Sequence, residues 1–552
     1  MKATAVVRIG LLIVAALGSI AAVAQTLPHF QHIVLVIQEN RTPDNLFGAS
    51  PSRTPCGGEY EFEQGVDIQD GGYDLYSKTV RCLTSERLAT CWGVNHGPSD
   101  WNTQADIQLG SPGMDKACFN NLFTPGPGCA APPACPQYTF VQKSDVQPYF
   151  DIAMNYGFAN YMFATNQGPS MPAHQFLFSG TSAPTPPGDV NNYYLDFVAD
   201  NGNFGGDSGG FNPPAGCRDV ARNFPTLVDY TGIQLGLQYG SCYDHPTLTD
   251  QLERHNPPIT WRYYAANFGT IWTAPNAIYH LCYLANTPEG APCNSPDWFQ
   301  NMSFENTAGI SIPVLNDIAN CQLQQVSWVT PDERWSDHAG GGGRENSNGN
   351  DGGPSYVASI VDAIGTSPCS DNVNGQNYSY WKDTAIFIVW DDWGGWYDHV
   401  APPKVMRSSD QQHDCDFNGE SWGCGYVYGF RVPLLVVSAY TPSGYVSGAY
   451  PNPGMTDKKY VHDFGSILRF IENNFALNYI DFPNPYYADY NAPDNVNGNL
   501  PLSDFFTISP SSPRNFVYIS PSASYPSTFF TGYFANHPAE LPIGPDGGAD
   551  ED

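Results

Sequence analysis

Two aspartates, Asp391 and Asp392, stand side by side directly after an apolar run, residues 385–390, in the stretch TAIFIVWDDWGGWYDHVAPP. Adjacent carboxylates repel each other unless a cation or a proton holds them. A second oxygen-rich pair, Glu39-Asn40, follows another apolar run, FQHIVLVIQ at 30–38. Carboxylate and amide oxygens are ligands for hard cations, although a strand running into an ordinary capped turn would look the same. The third feature is Ser170, which follows the turn-forming Gly168-Pro169 at the start of a predicted helix over 170–178. Backbone N–H groups at a helix start stabilise anions, and the commonest use of serine there is as an N-cap. His174, one turn on, reads as a surface residue or an outer neighbour of the site. His280 in NAIYHLCY and His338 in SDH follow further apolar segments, while His96 stands in a polar loop and carries little weight alone.

Together these residue types describe one reaction centre. Glu39, Asn40, Asp391 and Asp392 would hold one divalent cation, with the Ser170 hydroxyl as a further ligand. A cation there would lower the pKa of that hydroxyl and make it a nucleophile. His280 and His338 would hydrogen-bond phosphoryl oxygens or protonate a departing alcohol. The chemistry expected is attack on phosphorus, a covalent phosphoserine, and hydrolysis by water. Oxygen ligation suits Ca²⁺, Mg²⁺ or Mn²⁺, and Zn²⁺ is also compatible with carboxylates.

Such residues must be carried to one place. Short apolar runs ended by polar or glycine residues read as buried strands of a parallel sheet. Runs at 30–38, 259–264, 325–330, 385–390 and 432–438 alternate with helical patterns at 146–155, 170–178, 247–255, 354–364 and 460–475. That alternation predicts an α/β fold, a mostly parallel central sheet with helices on both faces. In such a sheet, ligands sit outside the carboxyl ends of the strands. Residues 51–136 and 191–216, rich in Gly, Pro, Asn and Cys, read as long loop excursions.

The chain has 552 residues and a net charge of −31. An acidic surface disfavours nucleic acid and anionic membrane as partners, so an anionic substrate would need local positive charge. Residues 1–24 have a basic start, an apolar core and a small-residue end at Ala22-Val23-Ala24, the pattern of a cleaved secretory signal rather than a stable membrane anchor. A secreted or periplasmic location follows as an expectation. Fourteen cysteines in an exported chain fit local disulfides stapling loops. Several sit close in sequence, namely Cys82 and Cys91, Cys282 and Cys293, Cys415 and Cys424. The chain divides into the signal at 1–24, a catalytic domain at 25–480, and a Pro/Ser/Tyr-rich extension at 481–552 with a disordered end.

The motifs ENRTPDNLFG, GPSMPAHQFLFSGT, TLTDQLERHNPPITWRYY, SDH and WDDWGGWYDHVAPP occur in an order that resembles the bacterial phosphoesterase family of phosphatidylcholine-type phospholipases C and secreted acid phosphatases. The resemblance covers about residues 28–476. It implies an alkaline-phosphatase-like core, a metal held by the residues matching Glu39, Asn40, Asp391 and Asp392, and a nucleophile matching Ser170. His96, His280 and His338 match histidines lining the phosphate pocket. The chain departs from the family pattern at Thr42-Pro43, where Ser-Phe is usual, and at Pro172-Ala173-His174, where Pro-Asn-Arg is common. The expected function is hydrolysis of phosphoric esters, acid-phosphatase-like first and phospholipase C second. A secreted metal-binding protein without turnover is the alternative from another class.

Overall fold

The computed structural model describes residues 27–57, 65–90, 92–105, 113–118, 131–184, 196–198, 201, 216–218, 227–229, 240–266, 270–304, 312–332, 335–339, 352–373, 375–403, 416–417, 420–421, 428–481, 487–495 and 499–519. The signal segment, Cys91, Cys415, Cys424 and the last residues lie outside them.

Eight strands form the central sheet. They are β1 (His32–Gln38), β2 (Gly157–Ala159), β3 (Trp261–Ala265), β4 (Met302–Phe304), β5 (Val326–Val329), β6 (Thr384–Trp390), β7 (Leu434–Val437) and β8 (Tyr445–Ser447). Their spatial order is β4-β3-β5-β1-β6-β7-β2-β8. All neighbours pair parallel except β7, which runs antiparallel to both β6 and β2. The sheet is therefore α/β and mostly parallel, as the alternation of apolar runs predicts. Every residue of β1 and β6 is buried. Strands covered on both faces need apolar side chains at every position, which is why these runs do not alternate.

Side-chain parity along β6 shows the two covered faces. Phe387 packs on Phe470 of the helix Phe464–Asn474, while Trp390 packs on Tyr149 of the helix Gln147–Asn155. Three positions apart, the two rings point to opposite sides. Burying each such large side chain stabilises the fold by about 1.5–3 kcal/mol.

The register of β1 and β6 does the most for the site. His32 lies opposite Thr384 and Gln38 opposite Trp390, so the strands end level with each other. Glu39-Asn40 and Asp391-Asp392 consequently leave the sheet side by side. The helix α1 (Pro43–Phe47) begins five residues after the end of β1, and α2 (Ser170–Ser179) follows the segment after β2.

Five disulfides join described residues: Cys56–Cys82, Cys118–Cys135, Cys217–Cys242, Cys282–Cys293 and Cys321–Cys369. Cys282–Cys293 is a local staple as expected. Cys82 instead reaches back to Cys56 rather than forward to Cys91, because β-pairing of Gly71–Asp74 with Thr79–Cys82 turns it toward the preceding loop. Among the described residues no helix is long and apolar enough to cross a membrane.

The described part of the chain after Asp481 packs on the sheet. Phe506 meets Phe30, Phe387 and Phe470, and Arg514 donates to the carbonyls of Asn155, at the end of the helix Gln147–Asn155, and of Thr441.

Candidate active site

The end of β1 is shaped by Asn40, which adopts φ 60°, a left-handed conformation that asparagine tolerates better than most residues. This turn points the Asn40 N–H at Asp391 Oδ1, 2.9 Å away, and the Asp392 N–H bonds the same oxygen at 2.7 Å. Gly394, at φ +60°, makes room for the turn: a Cβ there would lie 2.5 Å from the Asn40 carbonyl oxygen. Its N–H donates to Asp392 Oδ1 at 2.6 Å. The Gly-Gly pair after the aspartates is thus a packing requirement of the Glu39-Asn40 turn.

Ser170 is the first residue of α2, and Pro169 is its N-cap. Its hydroxyl does not cap the helix. It donates to Glu39 Oε2 at 3.0 Å, and both residues are fully buried. The other Glu39 oxygen is held by His174 Nε2 at 2.9 Å. Ser170 and His174 are four residues apart, so both project from one face of α2. His174 is completely buried, which excludes the surface reading and leaves it as a neighbour of the site. Its Nδ1 faces the Tyr263 hydroxyl, and its ring stacks on Trp272. The helix start offers fewer anion-binding groups than the sequence suggests. The Met171 N–H is committed to Asn201 Oδ1 at 2.8 Å, and Pro172 has none.

His96 joins the same cluster. Its Nδ1 lies 2.8 Å from the Val94 carbonyl, so that nitrogen carries the proton. Its Nε2 then accepts from Asn40 Nδ2 at 3.1 Å and lies 4.0 Å from Asp392 Oδ2. This fixes the Asn40 amide with its oxygen turned away from the ring. His338 stands on the rim, half-buried, its ring 5.9 Å from Trp272 and 6.2 Å from His96. Its neighbour Asp337 is buried and accepts from the Tyr149 hydroxyl and the Trp390 indole. Burial pushes the Asp337 carboxyl up to about 6.

His280 is placed elsewhere. It bonds Asp244 at 2.7 Å and lies 3.5 Å from Asp250, with no contact to the Glu39 group. Burial lowers its pKa, but the two carboxylates outweigh that and hold it at about 9. It is an imidazolium committed to a peripheral ion cluster.

The donor set fits a divalent cation. Glu39, His174 and Asp391 each present a ligand atom within 4.8 Å of the others. Asn40 Oδ1 and Asp391 Oδ2 are buried and meet no hydrogen-bond donor among the described residues. A buried carboxylate oxygen without a donor is costly unless a cation faces it. Asp392 stands beside them.

Behind this cluster lies a buried ion network that sequence reasoning missed. Arg431, fully buried, donates to Asp398, to Asp44 and to the carbonyls of Asp67 and Asn160. His399 bridges Asp44 at 2.7 Å and Asp67 at 3.1 Å. Burial lowers the His399 pKa, but the Asp44 charge and the bonds to Asp44 and Asp67 raise it to about 9. Burial likewise pushes Asp398 up to about 6 against the pull of Arg431. The guanidinium already supplies the cation here, so the network clamps α1 to the loop after β6 and is no metal site. Arg41 adds a second tie, donating to the Asp337 carbonyl and to Asn45.

A serine–histidine–aspartate row, Ser447–His462–Asp494, also occurs, with spacings of 2.8 and 2.7 Å. All three are buried, and Asp494 also receives Ser466 Oγ–H and the Leu502 N–H. It is a structural tie between β8 and the C-terminal segment.

A model of the phosphoesterase family matches residues 30–478. The chain belongs to the phosphoesterase family. The match spans every residue of the Glu39 cluster and of the Arg431 network. Among curated members it is similar to the non-hemolytic phospholipase C of Burkholderia pseudomallei, at 26% identity over 65% of this chain and 45% of the relative. The hemolytic phospholipase C of Pseudomonas aeruginosa is 22% identical over 82% of this chain and 53% of the relative. Phospholipase C B of Mycobacterium tuberculosis is 32% identical over 23% of this chain and 22% of the relative. This phosphoesterase spans about half the length of the first two.

Proposed function

We propose that this protein is a secreted, divalent-cation-dependent hydrolase of phosphoric esters that uses Ser170 as nucleophile. The observation that carries the reading is the hydrogen bond from Ser170 Oγ to Glu39, with donor-free oxygens of Asn40 and Asp391 beside it. Glu39, Asn40, Asp391 and Asp392 would hold the cation, and His174 adds a nitrogen ligand, which shifts the preference toward Zn²⁺ or Mn²⁺. When bound, the cation supplies charge neutralisation for an incoming phosphate and acidifies the serine hydroxyl.

The residues of the chain do the rest. Ser170 Oγ attacks phosphorus as Glu39 Oε2 takes its proton. The phosphorus–oxygen bond to the alcohol breaks, and His338, on the rim, gives the departing oxygen a proton. Water then attacks the phosphoserine and gives a proton to His338, the phosphorus–Oγ bond breaks, Glu39 returns its proton to Ser170 Oγ, and the phosphate product leaves. His96 holds the Asn40 amide in the ligating orientation, so its part is positioning. His280 has no part in this mechanism. The five disulfides fit an oxidising compartment, in line with export.

Every cluster residue except His338 is buried, which suits a substrate presenting a small phosphate head, as a phosphomonoester does. The second reading is a phospholipid head group, favoured by the names of the curated relatives. Turnover of an aryl phosphate against that of a phosphatidylcholine vesicle, each with added metal, separates the two. Faster vesicle turnover reverses the order. Ser170→Ala abolishes both if the nucleophile is right; unchanged rates would remove it. Metal-dependent stability without hydrolysis of either substrate would leave a binding protein.

A further inference from the structure

The carboxyl ends of β1 and β6 carry the candidate active site, yet their amino ends hold a second buried cluster. His32 opens β1, Asp383 precedes β6, and Asp371 lies on the hairpin strand Ser370–Val373. Six residues of strand, about 20 Å, separate it from Glu39.

The hydrogen bonding of this cluster is incomplete. His32 Nδ1 lies 2.9 Å from the Gln324 carbonyl, which can only accept, so that nitrogen carries the ring proton. Nε2 pairs with Asp371 Oδ2 at 2.7 Å; burial lowers the pKa of the ring, but the bond to Asp371 outweighs that, so the ring donates there as an imidazolium unless a cation takes the place of its proton. Asp383 is 2% exposed, and neither of its carboxylate oxygens meets a hydrogen-bond donor among the described residues. One of them lies within 4.8 Å of the imidazole nitrogen and of an Asp371 oxygen. Three ligand-type atoms, a His32 nitrogen, an Asp371 oxygen and an Asp383 oxygen, therefore surround one point, and the Asp383 carboxylate is the member without a donor among the described residues.

We infer that His32, Asp371 and Asp383 form a second divalent-cation site, of the zinc class, distinct from the Glu39 cluster. One imidazole nitrogen and two carboxylate oxygens are three of the four ligands a tetrahedral Zn²⁺ takes, and the half-exposed side of Asp371 leaves water for the fourth. A neutral imidazole with two carboxylates carries a charge of −2, which a divalent ion cancels. The Gln324 carbonyl does what outer partners of metal-bound histidines do: it fixes the tautomer and aims the free nitrogen. The cluster is also held in place. Cys321–Cys369 anchors the base of the hairpin beside the Gln324 segment, and the Tyr380 ring lies 4.6 Å from that of His32. A cation here would cross-tie the first strand, the approach to β6 and the hairpin. Its role would be structural, a tie at the strand ends remote from Ser170.

The test is zinc-edge anomalous diffraction from crystals of the full chain grown with Zn²⁺ in slight excess over sites. A peak among His32 Nε2, Asp371 and Asp383 is expected in the wild type. It should vanish in Asp371→Ala, a half-exposed position where the fold tolerates truncation, and Zn²⁺ affinity at this point should fall about tenfold or more. Zn²⁺ should also raise the melting temperature of the wild type by more than that of Asp371→Ala. Absence of the peak in the wild type overturns the inference, whatever binds at Glu39. A peak that persists in both Asp371→Ala and Asp383→Asn overturns it equally.

Discussion

Replacing Arg431 by Met asks how much the buried clamp behind the site contributes. The arginine is fully buried and makes six hydrogen bonds: two from Nε to Asp398, one from Nη2 to each of Asp398 and Asp44, and two from Nη1 to the carbonyls of Asp67 and Asn160. Met fills similar volume without charge. Asp398 and Asp44 then keep their backbone N–H partners and His399 as the remaining positive charge beside them. Removing one partner of a buried ion network costs about 3–5 kcal/mol, because the remaining charge stays buried. The penalty has a ceiling, since Asp398 can protonate. Its carboxyl sits at about 6 with the arginine present, through burial, and goes higher without it. A carboxyl raised in the fold costs stability above its unfolded pKa, and that cost fades as pH falls. The assay is urea unfolding of wild type and Arg431→Met at pH 7 and pH 5. We expect a gap of about 3–5 kcal/mol at pH 7 that narrows at pH 5. Phosphoester turnover should fall as well, because α1 and the loop after β6 lose their common anchor. A gap under about 1 kcal/mol at pH 7, or one that widens in acid, refutes the reasoning.

Three further outcomes follow from the same geometry. Gly394→Ala forces a Cβ to 2.5 Å from the Asn40 carbonyl at φ +60°, so we expect a loss of about 2 kcal/mol or more and reduced turnover; calorimetry with a rate assay checks both. His399 is held at about 9 against an ordinary value near 6.5, so its contribution, at most about 3 kcal/mol, is full below pH 6.5 and lost as pH rises through 9. His399→Gln should flatten that alkaline slope in urea midpoints taken between pH 6 and 9.5. Asp391→Asn keeps an oxygen for the Asn40 and Asp392 N–H groups, so the fold should hold while metal affinity falls about tenfold or more by calorimetric titration.

The sheet was legible in the sequence because β1 and β6 are unbroken apolar runs ended by polar residues. What could not be read was direction: the run at 432–438 looks like its parallel neighbours, yet β7 is antiparallel. The pairing of Glu39-Asn40 with Asp391-Asp392 was readable because both follow strand ends, and their closeness rests on the level register of two parallel strands. Whether His174 is a surface residue or a neighbour of the site could not be read, because α2 is buried on all sides and its polar residues give no outward stripe. The i, i+4 spacing from Ser170 was the available signal. Arg431 and Asp67 lie hundreds of residues apart in sequence, and no local pattern links a lone arginine to three aspartates. His280 follows an apolar segment, which places it near the sheet edge by sequence, but the folded chain spends that imidazole on Asp244 and Asp250.

The central claim is that a cation and the Ser170 hydroxyl meet the same phosphorus. Diffraction from a crystal soaked with orthovanadate and a divalent metal measures both positions at once through anomalous scattering. Vanadium bonded to Ser170 Oγ, with the metal peak among Glu39, Asn40, Asp391 and Asp392, is the predicted result. Vanadium bound away from Ser170, or no metal among those four side chains, would contradict it.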